Sequence, residues 1–323
     1  MKKNIVFGAV IGAILLYFSF RGIDFEAIAA CFRSLKAGYI VPVLIVLLLV
    51  QLIRSYRWGV LLSPIVKLDQ FSLFSITNVG ALALIIIPAR IGELARPYLV
   101  SGKANIRLTA ALGTVFIERV FDCLSVLLIF FVILLFTPLP VWLVNASLVF
   151  LGVTLGVLGF ILLLIFRREP SLRMFDRFTG ILPARWGALL NRVIHHFIDG
   201  IEIITDPKLI LNVSLLSILI WFLHALVIYI LFQAFGFNLS VLAALIVMVI
   251  LIIGITIPTA PGYIGNWHFF CVLGLTLFGI SKADALTYAI IFHFISLGFT
   301  VVLGAIFLPF NHFRLSDLRV DRK

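Results

Sequence analysis

Acidic residues are scarce in this 323-residue chain: Asp and Glu number 14 against 25 Lys and Arg, and only 12% of positions are charged. Soluble domains carry roughly 25% charged residues, so a soluble globular protein is excluded. The three cysteines, Cys31, Cys123 and Cys271, lie far apart with no CxxC spacing. That excludes a disulfide framework and leaves them as small apolar residues. The sequence also lacks a P-loop, a GxGxxG, a GxSxG elbow and an HExxH, and no polar segment is long enough for a nucleotide-binding domain. Accordingly no cofactor, no metal and no nucleic acid is expected, because the cations flank apolar runs and form no folded basic face.

What the chain has is apolar length. Hydrophobic residues make up 63% of it, Phe alone numbers 31, and the mean hydropathy is +1.23. Apolar stretches fall at Asn4–Phe20, Gly38–Leu62, Phe71–Ile87, Arg107–Thr137, Val141–Phe166, Leu209–Phe235, Val241–Ile257, Ile264–Ile280 and Ala285–Pro309. A helix needs about 20 residues to cross a bilayer; several stretches exceed that and others fall short. The expectation is an all-α integral membrane protein, a polytopic helical bundle forming one membrane domain over residues 1–323. The first stretch is longer than a usual signal-peptide core, and Arg21, Asp24 and Glu26 separate it from the Ile28-Ala29-Ala30-Cys31 box, so it reads as the first membrane helix.

Basic residues suggest the orientation. Arg167, Arg168, Arg173, Arg177, Arg185, Arg192 and Lys208 crowd one connection, and Arg314, Arg319, Arg322 and Lys323 form the tail. The connections Thr137–Val141 and Gly236–Ser240 carry no charge. The positive-inside rule then puts both termini and the 167–208 segment in the cytoplasm; the expected location is a plasma membrane, the inner membrane of a bacterium. Within that segment Trp186, Leu189, Leu190, Val193, Ile194, Phe197, Ile198 and Ile201 share one helical face. This amphipathic helix either lies in the membrane interface or packs on the rest of the protein.

Nine stretches with both termini inside cannot all cross. Phe71–Ile87 runs into Pro88-Ala89-Arg90-Ile91-Gly92-Glu93-Leu94-Ala95-Arg96-Pro97, too charged for lipid and too apolar for an open loop, which fits a hairpin entering from the cytoplasm. A second break, Pro258-Thr259-Ala260-Pro261-Gly262-Tyr263-Ile264-Gly265-Asn266, repeats the pattern P-x-x-I-G followed by a polar residue. Pro88, Gly92, Pro258, Pro261, Gly262 and Gly265 are the break-forming residues. Interrupted segments at corresponding places suggest two pseudo-symmetric halves, 38–137 with its break at 88–97 and 209–309 with its break at 258–266, related as an inverted repeat. Six crossings plus two opposed re-entrant hairpins satisfy the charge rule; so do eight crossings plus one hairpin.

Charges inside apolar sequence carry the functional information, since each costs about 2.5–3.5 kcal/mol at a helix centre and calls for a partner or a task. Arg54 and Arg57, beside Trp58, fit either interfacial snorkelling or a site. Arg90, Glu93 and Arg96 stand three apart, where Glu93 can pair with either arginine and leave one guanidinium for an anion; a phosphate suits such a fork. Glu118, Arg119 and Asp122 add one negative charge, enough to balance a remaining arginine of the first break. His224, His268 and His293 have no metal-ligand spacing and read as helix-to-helix hydrogen bonders, His268 being nearest the second break.

Arg54-Ser55-Tyr56-Arg57-Trp58, Asn78 with Ile87-Pro88-Ala89-Arg90-Ile91-Gly92-Glu93-Leu94-Ala95-Arg96, then Glu118-Arg119-Val120-Phe121-Asp122 and Pro258-Thr259-Ala260-Pro261-Gly262-Tyr263-Ile264-Gly265 together resemble the motif series of the lysylphosphatidylglycerol synthase transmembrane region, or flippase-like, family. The resemblance covers nearly the whole chain and implies an integral lipid translocase. In bifunctional members of the multiple peptide resistance factor type, such a domain moves aminoacylated phosphatidylglycerol between leaflets. The present sequence is expected to lack the synthase portion, and stand-alone members look linked to polyprenyl or hopanoid-type lipids. It also has His268 where the family pattern often carries an acid.

The resulting expectation is a flippase, not an enzyme, that moves an anionic phospholipid or lipid-linked molecule through a polar cavity. Its substrate would contact Arg90, Glu93, Arg96, Glu118, Arg119, Asp122, Asn78, Arg54, Arg57 and His268. A membrane-embedded transferase with Glu93, Glu118 or Asp122 as base, or an accessory subunit of a lipid-synthesis enzyme, is the alternative; partners would be membrane lipids, a second copy or such an enzyme. Most of the formal net charge of +11 lies in the 167–208 segment and the tail. Arg90, Glu93, Arg96, Glu118, Arg119 and Asp122 by themselves sum to zero.

Overall fold

The computed structural model describes residues 10, 13–21, 26, 31, 33, 35–87, 92–166, 206–256 and 261–311, without the side chains of 161, 162 and 164–166. Among these the chain is helical and has no strand. The principal helices are α1 (Ile40–Leu62), α2 (Gln70–Ile86), α3 (Ala95–Ala104), α4 (Leu108–Leu134), α5 (Val141–Phe166), α6 (Pro207–Phe235), α7 (Val241–Thr256), α8 (Asn266–Thr276) and α9 (Lys282–Phe307). Among the described residues four segments, Ala37–Leu62, Val141–Phe160, Pro207–Phe235 and Lys282–Asn311, are long and apolar enough to cross a membrane. α4 has the length, 27 residues, but carries Glu118, Arg119 and Asp122. The chain is an all-α polytopic membrane protein.

Helix ends follow local chemistry. Asp69 caps α2, accepting from the Ser72 amide at 2.8 Å and its hydroxyl at 2.6 Å. Asp206 caps α6 ahead of Pro207, which needs no amide partner at that position. Gly236 closes α6 in the left-handed conformation, φ 71°. Lys282, at the start of α9, donates to the carbonyls of Phe18 and Arg21 at 2.9 and 2.7 Å, tying α9 to the helical segment over 13–20.

At each break a longer helix is followed by a shorter one that packs against it. α2 and α3 have 17 and 10 residues, α7 and α8 have 16 and 11. At 1.5 Å per residue even the longer legs reach only about 25 Å, short of the ~30 Å hydrocarbon core. In the first hairpin Gly92 sits so close to α2 that a Cβ would overlap the Ala83 carbonyl. In the second, Gly262 and Gly265 have φ 67° and 95°, and Asn266 Nδ2 donates back to the Gly254 carbonyl of α7 at 3.1 Å. Pro88, Arg90 and Pro258, with 88–91 and 257–260, lie outside the described residues, as do the amphipathic pattern over 186–201 and the tail beyond 311.

The two halves share one register. Leu62 and Phe235, which end α1 and α6, lie 173 positions apart, as do Leu134 and Phe307, which end α4 and α9. Pro88 and Pro261, and Gly92 and Gly265, stand at that same separation. Two pairs of helix ends and two pairs of break residues thus share one offset, while α2 and α7 end 170 positions apart and α3 and α8 end 172 apart. Across the halves α1 packs along α6, α2 along α9, and α2 also meets the Pro261–Tyr263 turn of the second break. Gly304 of α9 makes room for α2, since a Cβ there would overlap Leu82. One apolar core gathers α6 to α9 with parts of α1 and α4; another, containing Trp58, Leu73, Ile76, Ala95 and Val115, holds the first hairpin to α1 and α4.

Candidate functional site: an arginine cleft over a buried ion network

On α1, Arg54, Arg57 and Trp58 occupy one face, because positions three and four apart stack. Arg57 and Trp58 are fully buried. Arg57 Nη1 donates to Asp122 Oδ1 and to Ser217 Oγ, both at 2.6 Å, and Nη2 donates to Glu118 Oε1 at 2.8 Å. Glu118 and Asp122 are one turn apart on α4 and Ser217 comes from α6, so one guanidinium joins three helices and both halves. Ser217 donates its own proton to the Val213 carbonyl at 2.8 Å, which leaves its oxygen free to accept.

Arg96, near the start of α3, forks onto the same carboxylate. Its Nη2 lies 2.8 Å from Glu118 Oε2 and its Nη1 3.3 Å from Oε1. Its guanidinium stands 4.3 Å from the centre of the Trp58 ring, and Trp58 Nε1 donates to Thr114 Oγ1 at 3.2 Å. Gly80 of α2 clears the way, because a Cβ there would overlap the Arg96 stem. Arg119 Nη1 reaches Asp122 Oδ2 at 3.3 Å with a side chain 43% exposed.

Above this network lies a cleft of about 40 Å³ lined by Arg54, Thr77, Gly80, Ala81, Leu84, Glu93, Arg96, Val115 and Arg119. By this measure a water needs about 10–15 Å³, so the cleft holds roughly three waters and is too small for a lipid headgroup as it stands. Its lining carries three guanidiniums and one carboxylate. Neither Arg54 nor Glu93 makes an ion pair with another described residue, and the Nε atoms of Arg57, Arg96 and Arg119 are buried with no hydrogen-bond partner among the described residues. With Arg54 and Arg57 drawn in, the described cluster holds four arginines against Glu93, Glu118 and Asp122, an excess of one positive charge. The zero sum of the sequence reading left both arginines out and counted Arg90.

Two other residues stand apart from this cleft. Asn78 is fully buried on α2; its Nδ2 donates to the Phe74 carbonyl at 2.8 Å, and its Oδ1 has no partner among the described residues. His268 lies by the second break, its ring 4.9 Å from His293, whose Nε2 donates to the Gly262 carbonyl at 2.8 Å. His224 hydrogen-bonds the Ile220 carbonyl of its own helix at 2.8 Å. Among the described residues no three His, Cys, Asp or Glu side chains gather to hold a metal. Ser217, Thr77 and Gly80 had no distinguishing signal in the sequence: Ser and Thr occur throughout the apolar helices, and Gly80 lies in no motif.

A family model described as the lysylphosphatidylglycerol synthase TM region matches residues 5–304, and the chain belongs to that family. It is similar to a UPF0104 membrane protein of Methanocaldococcus jannaschii, 25% identical over 228 residues, covering 68% of this chain and 90% of the relative. It is also similar to a UPF0104 membrane protein of Methanothermobacter thermautotrophicus, 22% identical over 340 residues and 100% of each chain. No solved structure matches it.

Proposed function

We propose that this family member is a translocase that moves an anionic phospholipid or lipid-linked anion between membrane leaflets, without chemical change to it. The observation that supports the reading is the convergence of Arg54, Arg96 and Arg119 on one cleft inside an apolar helical bundle, with Glu93 the one carboxylate among the described lining residues. Guanidiniums gathered in a low-dielectric interior bind phosphate oxygens in pairs. The headgroup would enter as the first hairpin shifts away from α4 and enlarges the cleft, while the acyl tails stay in lipid.

In this reading both hairpins are re-entrant, and the basic 167–208 connection stays on one side with both termini. The four helices of the first half then return the chain to its starting side whether the hairpin spans or not. Because α5 crosses once, the second half begins on the other side, which makes the repeat inverted.

Arg54 gives the cleanest test, because it balances no carboxylate at pairing distance. In vesicles holding a fluorescent phosphatidylglycerol and an external quencher, Arg54→Gln and Arg119→Gln should each slow leaflet exchange about tenfold or more, the worth of a charged hydrogen bond. Exchange at the parent rate in both variants refutes the proposal, and a new lipid product made by the purified protein would favour a transferase.

A further inference from the structure

We infer that Glu118 is a built-in stand-in for the ligand's phosphate: it holds Arg96 while the cleft is empty and gives it up when an anion enters, whereas Arg57 never leaves. This deepens the proposal above and rests on its reading of the cleft as an anion site. The two carboxylates are shared unequally between the two arginines. Glu118 offers both oxygens to Arg96, at 2.8 and 3.3 Å, and one of them also to Arg57 at 2.8 Å. Arg57 has further acceptors in Asp122 and Ser217, each at 2.6 Å.

Departure of Arg96 leaves Glu118 paired with Arg57, so no buried charge is orphaned. Departure of Arg57 strips a partner from both carboxylates at once and leaves Ser217 without its donor. Only the first exchange conserves pairing, because a phosphate gives Arg96 the same two-oxygen fork that Glu118 gives it. Position agrees with this: Arg96 lines the cleft and Arg57 does not.

Trp58 makes the exchange observable. The Arg96 guanidinium lies 4.3 Å from its ring centre, so a change of partner alters what stands over the indole. The chain has five tryptophans, and replacing Trp142, Trp186, Trp221 and Trp267 by Phe leaves Trp58 as the reporter. Purified protein would be titrated with inorganic phosphate, dihexanoyl phosphatidylglycerol and, as a neutral-headgroup control, dihexanoyl phosphatidylcholine.

Glu118→Gln should tighten the anion response at least about tenfold, since the competing charged bonds are gone. Asp122→Asn removes the same charge but, on the cleft lining, only the single 3.3 Å contact of Arg119 and no Arg96 partner, and should tighten it several-fold less than Glu118→Gln does. If Glu118→Gln binds no tighter than the parent, or Asp122→Asn tightens equally, the inference is overturned. Should Glu118→Gln not fold, Arg96→Lys decides: a lysine cannot fork onto a carboxylate, so a Trp58 response that persists unchanged also overturns it. A response to phosphatidylglycerol identifies a headgroup as the ligand. A response to inorganic phosphate alone, tightened by Glu118→Gln, keeps the exchange while the lipid-moving proposal fails.

Discussion

Replacing Arg57 by alanine removes the one cation among the described residues that touches both buried carboxylates. Glu118 is fully buried, Asp122 has a side chain 10% exposed, and Arg57 is fully buried between them. After the substitution Glu118 keeps Arg96, but Asp122 is left with the 3.3 Å contact to half-exposed Arg119, and Ser217 loses its donor. Removing one partner of a buried pair costs about 3–5 kcal/mol, a large share of the ~5–15 kcal/mol that holds a domain folded. Arg54→Ala, which orphans no carboxylate, should cost less than about 1 kcal/mol on the same scale. Unfolding in mild micelles titrated with sodium dodecyl sulfate measures both. Arg57→Ala combined with Asp122→Ala should recover part of the loss, with a coupling of about 0.5–3 kcal/mol. A cost below about 1 kcal/mol for Arg57→Ala, or zero coupling, would refute the view that this guanidinium is the structural centre of the network.

Gly92→Ala puts a methyl group against the Ala83 carbonyl, and should cost about 1–3 kcal/mol in the same unfolding titration as the hairpin is pushed open. Gly265→Ala meets a backbone of φ 95° that favours glycine, and a loss of about 1 kcal/mol or more is expected. Asp69→Ala deletes the α2 cap for about 1 kcal/mol at neutral pH. Its carboxyl is held below the usual range by the Ser72 hydroxyl and amide. The cap's contribution is therefore complete above the unfolded value of about 3.9 and is lost as pH falls through the lower folded value. Parent and variant should converge in stability only in that acid window, and a gap that already closes near pH 6 would count against the cap.

Composition made the class of protein legible, and Pro/Gly clusters made the interruptions between α2 and α3 and between α7 and α8 legible, because both are local properties of sequence. Pairing was not. Glu93 and Arg96 stand three apart, a spacing that joins side chains only within one helix. Here Glu93 belongs to a turn over 92–94, α3 begins at Ala95, and Arg96 pairs with Glu118 instead. Arg57 and Trp58 lie within a turn or so of the end of α1, where snorkelling and an interfacial aromatic are ordinary, yet both are fully buried. What buries them is α6 and the first hairpin folding over that end, a long-range event with no trace in the local pattern. The same event brings Ser217 to Arg57 from 160 residues away.

The shared register of the halves sharpens what the charges mean. At the offset of 173, Arg57 falls on Ile230, Glu118 on Ile291, Arg119 on Phe292 and Asp122 on Ile295. Among the described residues these positions of the later helices carry no second ion network. Each charge placed in an apolar helix costs about 2.5–3.5 kcal/mol before pairing, so a symmetric second network would roughly double that burden. Nor is the single network confined to its own half. Arg57 takes an acceptor from α6, and α2, which lines the cleft, packs on α9 and on the Pro261–Tyr263 turn. The second break therefore packs against the helix that lines the cleft, while Arg57 ties α1, α4 and α6 to one another.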